Sequence, residues 1–301
     1  MNNATILGAG IGDALGLQFE LKKPDHPELL AWDGKTFGPS KYLNLPAGAT
    51  SDDTAFTVAL ARSILMTGNY SAENAAKQYI LYHNSPTSCG MGGTTKKAMA
   101  NLINGMTPDK SGIEGREIGG NGTAMRASPI GVRYRNDLSK IIRFAKEDAI
   151  ITHNSDEPIQ GEVAVALAVG LLASKEADKH ELLSAVLDHL PSGGVKAGLT
   201  FVRRLMKQNV FSDTGLKLVS GTGCYVVDSV TTAFYCFLRY PTFEIAVEQA
   251  VRAGGDTDTN ASITGALAGT YYGVSHIPQY LIDGTADAKN LMALDALLWN
   301  L

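Results

Sequence analysis

The sequence predicts an all-α fold, a compact orthogonal bundle of many helices. Apolar side chains recur at three- to four-residue spacing over most of the chain, which is the period of an amphipathic helix. No segment alternates between apolar and polar residues as a half-buried strand does, and no strand–helix–strand order is present. Segments rich in Gly and Pro separate the helical stretches, so we expect the loops to carry the chemistry.

The predicted helices follow one another along nearly the whole chain. The first begins directly after an Asp pair, at residue 54. Ser71 is a favoured N-cap for the second, because a Ser side chain accepts a hydrogen bond from the N–H groups of the first turn. The Ala- and Gly-rich stretch at residues 161–173 suits close contacts in the middle of a bundle. The predicted helices cover residues 54–66, 72–82, 139–151, 159–174, 179–190, 195–206, 227–238, 242–253, 261–272 and 286–298.

Two long segments lack helical periodicity. Residues 22–48 contain four of the 11 prolines, and residues 107–122 form a second such segment. Loops of this length within a compact domain are usually functional, often as lids over a site. Neither has the character of a linker, so we expect a single domain over residues 1–301.

The composition is that of a soluble globular protein, with 301 residues, 45% hydrophobic and 19% charged. A formal net charge of −4 argues against general nucleic-acid binding, which favours basic surfaces. The first twenty residues lack a basic start, and Asp13 interrupts their apolar run, so no signal peptide or membrane span is predicted. Three cysteines without metal-type spacing fit a reducing, cytoplasmic location.

Two similar acidic clusters lie about two hundred residues apart, and each opens an apolar stretch that is predicted to be helical. Capping alone explains either cluster, since Asp and Ser are favoured at helix starts. However, one cap oxygen suffices, and a second adjacent Asp adds repulsion. If the fold brings four Asp together, a pair of hard divalent cations would neutralise them. The doubled pattern therefore favours a two-metal site formed by Ser51-Asp52-Asp53-Thr54 and Asp256-Thr257-Asp258-Thr259.

Four further segments are candidates for the site, each with an ordinary alternative. The glycine-rich loop at residues 119–126 allows backbone N–H groups to approach phosphate oxygens, although it is equally compatible with a simple turn. His153 is a catalyst or a hydrogen-bonded structural residue. Tyr225 is a stacking ring or a packing residue. Glu20 ends the first apolar segment and is either an exposed helix-end acid or a mobile catalytic acid.

In this order the motifs resemble the ADP-ribosylglycohydrolase family, which includes dinitrogenase-reductase-activating glycohydrolases and eukaryotic ADP-ribosyl-acceptor hydrolases. The resemblance runs nearly from end to end. Its motifs are GDALG at residues 12–16, SDDT at 51–54, GNGTAMRASPIG at 120–131, TH at 152–153, GCYVVDS at 223–229, GGDTDT at 254–259 and GALAGTYYG at 265–273.

The resemblance implies an all-α enzyme that binds two Mg²⁺ or Mn²⁺ ions in a binuclear cleft and hydrolyses an ADP-ribosyl bond at the anomeric carbon. It implies a catalytic or flap role for Glu20. The implied metal ligands are Ser51 (Thr in many relatives), Asp52, Asp53, Asp256, Asp258 and Thr259. The implied substrate contacts, with the diphosphate at the glycine-rich loop and the terminal ribose or adenine at the Tyr ring, are Gly120, Asn121, Gly122, Thr123, Met125, His153 and Tyr225.

The linkage that is cleaved stays open. Several arginine-specific bacterial relatives carry a catalytic Asp in an Asp-Ile-Gly motif, whereas residues 89–94 of this chain, Cys-Gly-Met-Gly-Gly-Thr, have no carboxylate. Residues 225–228, Tyr-Val-Val-Asp, do look like those relatives. We therefore expect a monomeric enzyme acting on arginine N-linked or serine O-linked ADP-ribose of a modified protein. The alternatives are a hydrolase of a small ADP-ribose derivative and an ADP-ribose-binding protein that blocks ADP-ribosylating toxins.

Overall fold

The all-α prediction is confirmed by the computed structural model, which describes residues 3–208, 212–219 and 223–301. All ten predicted helices are present. The largest difference between a predicted and an observed helix boundary is at the helix that begins at Thr257 rather than at residue 261. The helices in chain order are α1 (Thr5–Gly16), α2 (Pro27–Ala31), α3 (Asp52–Thr67), α4 (Ala72–His83), α5 (Gly93–Ile103), α6 (Pro108–Ser111), α7 (Ser128–Arg133), α8 (Leu138–Ile150), α9 (Asp156–Ser174), α10 (Leu182–His189), α11 (Gly194–Lys207), α12 (Ser212–Val219), α13 (Val226–Arg239), α14 (Phe243–Arg252), α15 (Thr257–Tyr272), α16 (Gln279–Gly284) and α17 (Ala288–Trp299).

Some elements were not predicted. α1 contains four glycines, and α5 begins with Gly and two Thr residues; these residues weaken the helical pattern. The long segments contain the short helices α2 and α6. A parallel two-stranded ladder joins β1 (Ile113–Glu114) to β2 (His153–Asn154), with Ile113 opposite His153. Strands of two residues are too short to produce a visible alternation.

The contact between α1 and α15 brings the two ends of the chain together. A side-chain carbon at Gly12 would lie 2.0 Å from the carbonyl oxygen of Ala261, and one at Gly8 would lie 2.2 Å from that of Gly265. Only glycine permits backbones to approach this closely. The hydroxyl of Thr257 also donates to the carbonyl of Gly16, at 2.7 Å. The start of α15 is therefore held beside the end of α1.

The hydrophobic core runs from Ala4 to Leu298 and includes most of α9. α9 is the helix among the described residues that is long and apolar enough to cross a membrane by length and composition, but 83% of that window is buried inside the protein. Such burial is typical of a core helix. The single-domain expectation over residues 1–301 stays a prediction.

Candidate functional site

The first acidic cluster is held in place by an acid on another helix. The Ser51 hydroxyl caps α3 by accepting from the backbone N–H of Asp53, at 3.2 Å. Asp13 of α1 is fully buried and accepts from the backbone N–H of Ser51 at 2.9 Å and from the backbone and hydroxyl of Thr54 at 3.1 and 2.6 Å. Asp13 therefore fixes the start of α3, and with it the position of Asp52 and Asp53.

The second cluster meets the first at the start of α15. The hydroxyl of Thr259 donates to Oδ2 of Asp53, at 3.3 Å. The side-chain amide of Asn121 donates to Oδ2 of Asp256, at 2.8 Å. These contacts span 206 and 135 residues of sequence respectively. The fold thus brings together the two clusters and the glycine-rich loop, as the motif pattern requires.

The clusters share a cavity of about 320 Å³. A larger cavity of about 460 Å³ lies beside α3, α4 and α17, but its lining contains a single carboxylate, Asp287. We therefore place the chemistry in the smaller cavity, which we call the acidic pocket. Its lining residues are Glu20, Asp52, Asp53, Gly90, Gly92, Gly93, Thr94, Thr95, Gly120, Asn121, Gly122, Met125, His153, Cys224, Asp256, Asp258 and Thr259.

The carboxylates of the acidic pocket are buried close to one another, so their negative charges repel. Burial raises the pKa of Asp52, Asp53 and Asp258 well above the ordinary range, and the neighbouring carboxylates raise it further. Burial, then Asp256 and Asp13, raise the pKa of Glu20 to about 7. This arrangement favours a positive charge in the pocket.

The acidic clusters fit hard cations, because two of their buried oxygens, Oδ1 of Asp53 and Oδ1 of Asp258, have no hydrogen-bond partner. Oε2 of Glu20, outside the two clusters, is also buried without a partner. Unpaired buried carboxylate oxygens are costly and suit Mg²⁺ or Mn²⁺. In the described part of the chain, however, no three His, Cys, Asp or Glu side chains converge to form a ready-made ligand set for one ion. The acids share one pocket without meeting at one point, and the binuclear cleft stays a prediction.

The glycine-rich loop also lines the acidic pocket, beside the acids. Gly120, Asn121, Gly122 and Met125 line the pocket together with His153. A side-chain carbon at Gly120 would lie 3.0 Å from Nε2 of that histidine, and one at Gly122 would lie 3.1 Å from Cε1. The imidazole ring therefore stands directly behind the loop backbone. Side chains at these two loop positions would crowd it.

Three of the predicted site residues lie outside the lining of the acidic pocket. The hydroxyl of Thr123 donates to the carbonyl of Pro158 at 2.7 Å, which ties the loop to α9. Ser51 lines the larger cavity, although its hydroxyl is 3.3 Å from Oδ2 of Asp53. The ring of Tyr225 is 44% exposed and packs against Gly119. The roles predicted for these three residues stay predictions.

Glu20 does line the acidic pocket, and its loop is attached to the second acidic cluster. The backbone N–H of Leu21 donates to the carbonyl of Gly255 at 2.8 Å, and the N–H of Gly255 donates to the carbonyl of Lys22 at 2.7 Å. This short antiparallel bridge holds the Glu20 backbone beside Asp256. The loop can therefore move freely only if these bonds break.

Several residues that line the acidic pocket or hold its acids in place were not predicted from the sequence. Asp13 lies in the quoted GDALG motif, but its role becomes visible only through its bonds to α3. Cys224 lines the pocket where Tyr225 was expected. Gly90 has a φ of +78°, and a side-chain carbon there would lie 2.1 Å from Oδ1 of Asp52. The closely spaced glycines of residues 90–93 were the sequence feature that could have indicated this part of the pocket. No sequence feature indicated Thr94 and Thr95.

The structure is an all-α bundle with an acidic pocket at two helix starts, lined also by a glycine-rich loop. The sequence model of the ADP-ribosylglycohydrolase family matches residues 3–301, and the chain belongs to that family. The resemblance drawn from the motifs is therefore confirmed, and the chain is an enzyme of the ADP-ribosyl glycohydrolase type.

Several relatives and a solved structure are similar to this chain over at least 90% of its length. The ADP-ribosylhydrolase ARH3 of Mus musculus is 27% identical over 91% of this chain and 84% of its own length. The ADP-ribosyl-[dinitrogen reductase] glycohydrolase of Rhodospirillum rubrum is 28% identical over 90% and 85%. An uncharacterized protein of Archaeoglobus fulgidus is 32% identical over 98% and 95%. A solved structure titled ADP-ribosylglycohydrolase-related protein complex matches with a TM-score of 0.80 and 26% identity, over 99% and 96% of the two chains.

Proposed function

We propose that this enzyme hydrolyses ADP-ribose from modified protein side chains with the help of two divalent cations, Mg²⁺ or Mn²⁺. The observation that carries the proposal is the acidic pocket, in which carboxylates from two distant helix starts face a glycine-rich loop. Relatives named as an ADP-ribosylhydrolase and as a glycohydrolase of ADP-ribosylated dinitrogen reductase support the substrate class.

The ions would be held by the two acidic clusters. Bound there, divalent cations would orient the ribose hydroxyls and supply Lewis-acid stabilisation of developing charge. Asp13 keeps the first cluster in place through its bonds to the start of α3. The residues that we propose as ligands are Ser51, Asp52, Asp53, Asp256, Asp258 and Thr259.

The remaining residues bind the substrate and move a proton. Backbone N–H groups of the glycine-rich loop suit the diphosphate, because glycines let phosphate oxygens approach closely. Tyr225 at the rim offers a ring for the adenine or ribose. Glu20 is the pocket acid outside the two clusters, so it is free to protonate the leaving group or to activate water. The cluster acids are not free in this way, because cation binding holds them ionised.

The acceptor in this proposal is an arginine (N-linked) or a serine (O-linked) side chain. The loop at residues 89–94 supplies glycines and Thr94 to the pocket but no carboxylate. Incubation with ADP-ribosyl-arginine and ADP-ribosyl-serine peptides, with and without Mg²⁺, tests both linkage and metal. We expect Mg²⁺-dependent release of free ADP-ribose from one peptide class. ADP-ribose binding without release from either peptide would contradict the proposal.

Asp258→Ala tests the metal role directly. The variant should lose more than about 100-fold in kcat/KM, because a ligand carboxylate disappears from the pocket. Asp188→Ala, a substitution of an exposed acid on α10, is the control and should keep full activity. If the wild type stays fully active after chelation, or the Asp258 variant keeps the wild-type rate, the cation part of the proposal is wrong.

A further inference from the structure

A fully buried arginine, Arg126, ends the glycine-rich loop and connects it to α8 and to Thr152, the residue before His153. Nε of Arg126 donates to Oδ2 of Asp148 at 2.7 Å, and NH2 donates to the backbone carbonyl of the same residue at 2.9 Å. NH1 donates to the carbonyl of Gly122 and to the hydroxyl of Thr152, both at 2.9 Å. One nitrogen thus binds the loop and the threonine at once.

The direction of the next hydrogen bond follows from chemistry. A guanidinium has donors only, so the Thr152 oxygen accepts from Arg126. Its single hydrogen then remains for Nδ1 of His153, which is 2.9 Å away and is the other described partner of this hydroxyl. Thr152 is fully buried, and a hydroxyl hydrogen without an acceptor there would be costly. Nδ1 of His153 is therefore an acceptor.

This assignment decides where the imidazole proton is. A neutral histidine whose Nδ1 accepts carries its proton on Nε2. Burial, together with the charge of Arg126, lowers the pKa of His153 to about 3, so the ring is neutral at physiological pH. Nε2 lies against Gly120 at the wall of the acidic pocket, within 3.0 Å of the position that a side-chain carbon there would occupy.

We propose that Arg126 and Thr152 are positioning residues that hold His153 in its Nε2–H tautomer, so that the ring presents one neutral hydrogen-bond donor to an acceptor oxygen of the substrate. The opposite tautomer would present a lone pair and repel a diphosphate. The substrate half of this inference rests on the proposed function, whereas the tautomer does not. A neutral N–H donor at this position favours anionic hydrogen-bond acceptors of the substrate, and it adds no positive charge to the pocket.

Nitrogen-15 NMR of histidine-labelled protein tests the tautomer in the intact enzyme. The signals of His153, one of six histidines, are identified by their loss in His153→Gln. We expect an unprotonated Nδ1 and a protonated Nε2 at neutral pH. A proton on Nδ1, or an imidazolium, would overturn the inference even if the enzyme releases ADP-ribose. Conversely, an inactive enzyme with the expected tautomer would count against the proposed function alone.

Thr152→Val tests the positioning role, because valine keeps the shape of threonine and removes the hydroxyl. The variant should show a mixture of both tautomers at His153 and a roughly tenfold weaker Kd for ADP-ribose by calorimetry, the size expected for one lost hydrogen bond. Thr152→Ser keeps the hydroxyl and should retain the wild-type tautomer and Kd. Unchanged tautomer and Kd in the valine variant would overturn the inference. If that variant does not fold, the wild-type and serine spectra decide it.

Discussion

At the scale of single residues, the pocket depends on acids with distinct surroundings. Asp13 accepts several hydrogen bonds, and burial still raises its pKa to about 6. Glu20 has a buried Oε2 without a partner. An acid whose hydrogen bonds are satisfied is suited to hold backbone in place, and an acid with an unsatisfied oxygen is suited to act on a ligand. The two residues therefore have separate tasks.

Glu20→Gln separates binding from turnover. The amide keeps the shape of the side chain but cannot exchange a proton, so kcat should fall about 100-fold or more while the Kd for ADP-ribose changes little. Glu28→Gln, at an exposed position of the nearby helix α2, is the matched control. A Glu20 variant with the wild-type kcat would assign this residue to a lid rather than to catalysis.

At the scale of elements, the packing of α1 against α15 supports both acidic clusters. Gly12→Ala should lower the free energy of unfolding by about 1–3 kcal/mol or more, because the added carbon meets the backbone of Ala261. Chemical denaturation measures this loss. Gly93→Ala, at the first position of α5, meets no atom within 4 Å and is the control. Equal stability of the two variants would mean that α1 and α15 can separate without cost.

Asp295 on α17 provides a pH-dependent attachment for the start of α1. Its carboxylate accepts from the backbone N–H groups of Ile6 and Leu7 at 2.9 and 3.0 Å, and burial raises its pKa from 3.8 to about 7. Because the pKa is raised in the folded state, the contribution of Asp295 to the free energy of unfolding is complete below pH 3.8. That contribution is lost as the pH rises to about 7, and the loss is up to about 4 kcal/mol.

Asp295→Asn should remove that part of the pH dependence. Denaturant titrations across the same interval measure it as the difference in slope between the wild type and the variant. Other buried acids contribute to both proteins, so they cancel in the comparison. Asp283→Asn, at an exposed position, is the control. Parallel pH profiles for the wild type and the Asp295 variant would show that the carboxylate is ionised throughout.

At the scale of the whole molecule, the acidic pocket opposes folding unless its charge is compensated. We expect the Tm to rise with the logarithm of Mg²⁺ concentration, because an ion that binds only the folded chain stabilises it. Differential scanning fluorimetry measures the shift, with NaCl at equal ionic strength as the control for screening. Asp258→Ala should abolish the Mg²⁺-specific part. A shift reproduced fully by NaCl would exclude specific binding.

The sequence by itself determined ten of the helices, the two acidic helix starts and the family. Periodicity and motifs are local properties of the chain, so residues 54–66 and the Asp pair before them are readable without the fold. α1 was not predicted because its glycines weaken the helical pattern. The same glycines allow α1 to lie in close contact with α15.

Only the tertiary structure decided which residues meet in the pocket. It joined Thr259 to Asp53, attached the Glu20 loop to Gly255, and placed the ring of Tyr225 outside the pocket lining. It also oriented Thr152 between Arg126 and an imidazole. The physical reason is that hydrogen bonds and desolvation act between groups that are close in space, and these groups are brought together by helix packing rather than by their order along the chain.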